Sequence, residues 1–221
     1  MASNSKDERK AIFKNYPSSK IPDLAGMVLD KGRLCLVEFL GQGSWGTVYK
    51  AQRTDAGVGY YSSERYAVKC LAPLLMSSRQ RKVVDNEIKM HYACSRTSAS
   101  ILQLRNAFED EDTGLIFIVT ELCEGGTLLD RIKDESVVGN DECIRQTFLQ
   151  ILDAVGGCHN AGIYHRDLKL ENILFKADGS VVLADFGFAT YKQKTRDFGL
   201  GSREYMSPGS CSIIGRYSQH R

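Results

Sequence analysis

The sequence of 221 residues predicts an α+β fold in which a mostly β half precedes a mostly α half. Three observations carry that expectation. Strand-like runs concentrate between Arg33 and Val119, helical periodicity dominates beyond residue 126, and "EGG" at 124–126 supplies a natural break. A chain of this length can bury a substantial core as one large domain or two small ones. Its 43% apolar and 25% charged content is ordinary for a globular protein.

Residues 1–30 are polar, carry Pro17 and Pro22, and read as a loosely ordered lead-in. The first strand is "RLCLVEFL" (33–40), running into a glycine loop. "TVYKAQ" (47–52) is the second, and "RYAVKCL" (65–71) the third, after a polar loop at 53–64. A helix over roughly 77–95 interrupts the series before "ILQLRNAF" (101–108) and "LIFIVTEL" (115–122) return to strand character. A short helix is expected near 127–134 and a longer one from about Asp141 to His159. In the latter, Ile144, Phe148, Ile151, Val155 and Cys158 recur at steps of four, three, four and three, which places them on one face, and Asp141 is the expected N-cap.

Composition narrows the function classes. A net charge of +2 argues neither for nucleic acid nor for a membrane surface as partner. The run "LIFIV" (115–119) is too short to span a bilayer, and the first ten residues lack the apolar core of a signal peptide. Seven cysteines, an odd number without a CxxC pair, suggest a reduced intracellular chain with no zinc site, and the lack of targeting signals sets the expectation of a cytoplasmic or nuclear location.

Several stretches carry residues suited to chemistry. In "GQGSWGTVYK" (41–50), Gly41, Gly43 and Gly46 would let a hairpin backbone approach phosphate oxygens; alone, the same residues fit an ordinary turn. A strand follows these glycines where a dinucleotide fingerprint requires a helix, and no Gly-Lys-Ser/Thr closes a Walker A loop. Lys69 stands among apolar residues, either as a surface lysine or as an ammonium held against phosphates and a carboxylate. Glu87 is the candidate carboxylate; the alternative is a solvated helix charge. The stretch "HRDLKLENILFKADGSVVLADFG" (165–187) is more specific. Phosphoryl transfer needs a carboxylate to orient the attacking hydroxyl, oxygen ligands for Mg2+, and a cation near the transferring group. Asp167, Lys169, Asn172 and Asp185 can supply these in one segment.

Taken together, these motifs resemble those of eukaryotic protein kinases. "GQGSWGTV" is similar to their glycine loop, "YAVK" to their third strand, "HRDLKLEN" to their catalytic loop and "DFG" (185–187) to their metal-binding turn. The order fits from about Arg33 to Pro208, and the wording looks closest to fungal kinases. The resemblance implies a two-lobed kinase-like fold: a β-rich N-lobe over 31–123, a partial helical C-lobe over 124–208 and a divergent tail over 209–221. It implies ATP and Mg2+ as cofactors and a protein serine or threonine as acceptor, with neither nucleic acid nor membrane as partner. Asp167 and Lys169 would be catalytic, and Asn172 and Asp185 would hold the metal. Lys69 would hold the α- and β-phosphates and pair with Glu87. Leu40, Val48, Ala67 and Leu174 would sandwich adenine, with Thr120 behind it and the backbone of Glu121 and Cys123 hydrogen-bonding its edge. Lys169 and "GSREYMSP" resemble the serine/threonine branch, with Ser202 supporting the acceptor. Thr195 is the expected phosphosite, which Arg166 could pair with.

The resemblance ends after "YMSP", where Gly209 replaces an expected glutamate and the family's next helices do not follow. The expectation is a shortened C-lobe whose 144–158 stripe lacks its usual cover and attracts chaperones. Each large apolar side chain left in water forfeits about 1.5–3 kcal/mol. A catalytically inactive nucleotide-binding or interaction fragment is therefore the competing reading. His91 is expected to be a packed histidine with one hydrogen bond, and Gly156-Gly157 to weaken the long helix.

Overall fold

The computed structural model describes residues 23–43, 46–54, 61–73, 76–111, 113–191 and 201–206. They group into two compact units, one of residues up to 82 with 104–122, the other of 83–103 with the residues from 123 onward.

The first unit is built on a six-stranded antiparallel sheet in the order β1-β2-β3-β4-β6-β5. Its strands are β1 (Val28–Leu29), β2 (Leu34–Gly43), β3 (Gly46–Thr54), β4 (Tyr61–Leu71), β5 (Leu104–Glu109) and β6 (Ile116–Glu121). Side chains alternate between faces along a strand, so the buried residues Tyr49, Ala51, Val68, Cys70, Phe117 and Val119 form a core on one face. Val48, Lys69 and Ile118, paired directly across β3, β4 and β6, share the opposite face.

The expectation of a loose lead-in over 1–30 is corrected for 23–30, and residues 1–22 lie outside the described residues. Leu24 and Leu29 are buried in the sheet core, and β1 pairs with β2. The Tyr49 hydroxyl donates to Asp23 Oδ1 (3.1 Å) and accepts from the Leu24 N–H (3.0 Å). A two-residue strand and one buried tyrosine leave no periodic signature, so only long-range packing reveals this segment.

The second unit contains α1 (Ser78–Cys94), most of which groups here rather than with the sheet, α2 (Leu128–Lys133), α3 (Asp141–Asn160) and the ribbon of β7 (Ile173–Phe175) with β8 (Val181–Leu183). Its core joins Met90 and Cys94 of α1, Ala154 and Cys158 of α3, and Ile173, Phe175, Val181, Leu183 and Phe186. Thr127 caps α2 reciprocally with Asp130. The N-cap of α3 is Asn140, whose side chain accepts from the Cys143 N–H (3.0 Å), and not the expected Asp141. Asp141 is instead the first helical residue, where a carboxylate favours the helix dipole.

The expected α3 stripe divides. Cys158 is buried and Ile151 packs against the core, while Ile144 and Phe148 are 49% and 59% exposed, joined by Leu149 and Leu152. Gly157 is also more than a weak point. A Cβ there would stand 2.9 Å from the Ser98 Cβ, so its lack of a side chain permits close packing, whereas Gly156 faces open space.

Candidate active site

In the sheet unit, β2 and β3 form the glycine hairpin, with Gly43 opposite Gly46 and a bulge between Phe39 and Gly41 that takes up Leu40. Ser44 and Trp45 lie outside the described residues. The three glycines have different reasons to be there. A Cβ on Gly46 would come within 2.3 Å of the Cys70 carbonyl, so this glycine serves the β3–β4 contact. Gly41 meets nothing within 4 Å, and Gly43 only the Gly46 carbonyl at 3.8 Å. Internal packing therefore does not require glycine at 41 or 43. Ala67 and Thr120 are paired across β4 and β6, with the Thr120 hydroxyl donating to the Ala67 carbonyl at 3.4 Å. They lie two residues from Lys69 and Ile118, hence on the same face as Val48 and Lys69. Glu121 closes β6.

In the second unit, Cys123 and Leu174 pack against Leu102, Val182 and Ala184. Glu87 is buried on α1, which replaces the solvated-charge reading, and its Oε2 lies near Gly187. One residue earlier, α1 carries Asn86, whose Nδ2 donates to the Ala189 carbonyl (2.9 Å). His91 is a packed histidine, as expected: its Nε2 meets the Leu102 carbonyl at 2.7 Å, and its ring stacks on Phe186 with centroids 4.8 Å apart.

The catalytic loop is assembled around one buried carboxylate. Asp167 Oδ1 accepts from the Ser202 N–H (2.8 Å) and hydroxyl (3.1 Å). Its Oδ2 pairs with Lys169 Nζ at 3.0 Å and accepts from Asn172 Nδ2 at 3.2 Å. The Asn172 amide also donates to the Asp167 carbonyl (2.8 Å), and the Asn172 carbonyl accepts from the Ala184 N–H (2.8 Å). Burial pushes the Asp167 carboxyl upward, but Lys169 and Ser202 outweigh it and hold the group below the ordinary aspartate value. Burial likewise lowers Lys169, yet its bond to Asp167 leaves it raised overall, so both partners stay charged.

His165 fixes the loop from behind. Its Nδ1 accepts from the Asp167 N–H (3.3 Å), so Nε2 carries the proton donated to the Ala184 carbonyl (3.0 Å). Burial pushes its pKa down, which keeps this tautomer neutral. Two non-glycine residues of this region take left-handed backbone: Arg166 (φ 67°), whose Nε donates to the Phe188 carbonyl at 2.7 Å, and Asp185 (φ 65°). The latter turn leaves Asp185 exposed while Phe186 is buried beneath it. Asp185 Oδ1 accepts from the Gly187 N–H at 3.2 Å.

The donor chemistry suits a hard divalent cation. With Nδ2 of Asn172 committed to Asp167, the amide offers its oxygen, and Asp185 adds an exposed carboxylate. Sequence reasoning named Asp167, Lys169, Asn172, Asp185 and Ser202. It missed the double grip of Ser202 on Asp167, 35 positions away, and the orienting role of His165. Ser202 is too distant for local spacing to signal it, and the orientation of His165 is set by the Ala184 carbonyl 19 positions on. Thr195 lies outside the described residues.

The arrangement brings together a carboxylate, a cation and oxygen donors of the kind that phosphoryl transfer requires. The profile of the protein kinase domain matches residues 34–219, and the chain belongs to that family. It is 40% identical over 187 residues to the negative regulator of sexual conjugation and meiosis of Schizosaccharomyces pombe, covering 84% of this chain and 38% of that protein. It is 33% identical over 179 residues to CBL-interacting protein kinase 21 of Oryza sativa subsp. japonica, covering 76% of this chain and 31% of that protein. A putative ribosomal protein S6 kinase alpha-1 of Caenorhabditis elegans is 32% identical over 189 residues, covering 83% of this chain and 23% of that protein. The chain thus spans well under half the length of these relatives.

Proposed function

We propose that this chain carries out ATP- and Mg2+-dependent transfer of the γ-phosphate to a serine or threonine hydroxyl of a protein. The observation that carries the reading is the buried Asp167 carboxylate, gripped by Ser202, Lys169 and Asn172. In the step, Asp167 accepts the acceptor proton as the hydroxyl oxygen forms its bond to phosphorus and the bond to ADP breaks. Ser202 and Asn172 hold the carboxylate in place, which limits reorganisation during the reaction. Lys169, already charged beside Asp167, stabilises the negative charge of the transferring group. Asn172 and Asp185 would hold Mg2+, whose contribution is to neutralise phosphate charge.

Each unit carries its own share of the nucleotide contacts that the family resemblance names. In the sheet unit these are Leu40, Gly41, Gly43, Gly46, Val48, Ala67, Lys69, Thr120 and Glu121; in the other, Glu87, Cys123 and Leu174. The protein kinases named among the relatives favour the catalytic reading over a nucleotide-binding or interaction fragment. Thr195 remains the proposed phosphosite, and the exposed Ile144–Phe148 face is the surface that would attract chaperones.

The test is ATP·Mg2+-dependent phosphate transfer by the purified chain to a generic basic protein, with Asp167→Ala as control. Transfer by the wild type alone is expected. Equal signal from both proteins defeats the catalytic reading.

A further inference from the structure

The sheet unit carries a concave feature that the phosphoryl-transfer reading does not use. A cavity of about 230 Å3 opens where the sheet core ends, with Leu34, Tyr66 and Val119 contributing apolar surface and Arg33, Arg53 and Arg105 contributing charge. The two aliphatic residues are buried, and all three arginines are exposed. Separate elements bring those arginines together. Arg33 follows a turn in which Asp30, Lys31 and Gly32 are all left-handed. Arg53 lies in β3 directly opposite Leu34, and Arg105 sits at the bulge between Leu104 and Asn106 of the edge strand β5.

Two of the lining side chains already hold a carboxylate of the same chain. Glu64 accepts from Arg53 Nη1 (3.0 Å) and from the Tyr66 hydroxyl (2.9 Å). These two bonds, with a longer-range contribution from Arg105, hold its carboxyl below the ordinary glutamate value. Three cations against the carboxylates of Asp30 and Glu64 leave the site net positive.

We propose that this cavity docks an acidic peptide segment in which one aromatic or aliphatic side chain is flanked by Asp or Glu. The volume is below the roughly 300–1,000 Å3 usual for small-molecule pockets, and suits a single large side chain. The apolar lining takes that side chain, while the surrounding arginines pair with carboxylates on either side, as their forked donors favour. One acidic side chain, Asp30, lines the cavity and another, Glu64, is bonded to two of its lining residues, unlike the basic stripe that tracks a nucleic-acid backbone. This docking site is independent of the phosphoryl-transfer reading.

The experiment is fluorescence anisotropy of fluorescein-labelled Gly-Asp-Glu-Phe-Asp-Glu-Gly titrated with the full chain at low salt. Saturable binding is expected, weakened roughly tenfold by Arg33→Glu with Arg105→Glu, and weakened again when the peptide Phe becomes Ser. The doubly substituted chain should instead gain affinity for Gly-Lys-Lys-Phe-Lys-Lys-Gly. Should the double variant lose its thermal transition, Arg105→Gln on the exposed edge strand replaces it, with a smaller weakening expected. Absence of saturable binding, equal binding by wild type and variants, or indifference to the peptide Phe overturns the proposal. So does displacement of the peptide by phosphatidylserine vesicles with the same loss in the double variant, which would make the site a lipid surface. A nucleotide-induced melting shift, measured in parallel and expected to be the same in wild type and variant, separates failure of docking from failure of the kinase reading.

Discussion

Substituting Ser202 by alanine removes one of the bonds that hold Asp167 and leaves the others in place. The hydroxyl donates to Oδ1 at 3.1 Å, while the Ser202 N–H at 2.8 Å and Lys169 at 3.0 Å do not depend on that side chain. A hydrogen bond to a charged group contributes about 1.5–3 kcal/mol. Because two stronger contacts to the same carboxylate persist, the lower end applies, and roughly a tenfold loss in kcat follows. The sign of the pH effect follows from the same geometry. Ser202 favours the ionised carboxylate, so its loss moves the Asp167 pKa back toward the ordinary aspartate value. The acidic limb of the pH–rate profile therefore shifts to higher pH. The assay is peptide phosphorylation across pH for wild type, Ser202→Ala and Ser202→Thr, with 13C-carboxyl NMR reading the Asp167 titration directly. Ser202→Thr keeps the hydroxyl and should recover most of the activity. An unchanged acidic limb and an unmoved Asp167 resonance in Ser202→Ala would refute the reasoning.

Two further outcomes follow from the packing. Gly46→Ala should lower the melting temperature, by about 1–3 kcal/mol in stability, because its Cβ would meet the Cys70 carbonyl. Gly41→Ala faces open space and should leave the melt within about 0.5 kcal/mol of wild type while weakening ATP binding, so equal melts for the two variants would contradict the assignment. Acidification should loosen the catalytic loop, because burial lowers the His165 pKa and the unfolded state therefore takes up the proton first. That stability is intact above about pH 6.5 and declines below it, so amide exchange in residues 163–169 should accelerate there in wild type but less so in His165→Gln.

Much of the fold was legible because its elements carry their own periodicity. The strands between 34 and 121, the helix at 78–94 and the long helix at 141–160 all appear close to where alternation or helical spacing put them, whereas the three-residue strands β7 and β8 were not foreseen in a half expected to be helical. The errors arose where the deciding contact is distant or the signal brief. A two-residue strand at 28–29 cannot show alternation, and its order comes from Leu24, Leu29 and the Tyr49 hydroxyl. The cap of α3 fell one residue early because Asn140 and Asp141 are both good caps, and only backbone geometry chooses between them. The α3 stripe was recognised as one face, but helical spacing cannot say how much of that face a neighbour covers.

The amino-acid sequence alone determined the chemical inventory: a glycine hairpin, a lysine in an apolar strand, and Asp167, Lys169, Asn172 and Asp185 within one short segment. These are matters of residue type and order, and they suffice to identify the family. Only the tertiary structure decided how Asp167 is held, because Ser202 reaches it from 35 positions away and His165 acts through a single backbone N–H. It also separated Gly46, which packing requires, from Gly41, which packing does not, and it gathered Arg33, Arg53 and Arg105 into one cavity. Contacts between residues far apart in the chain depend on the path of the backbone between them, and spacing within a motif carries no record of that path.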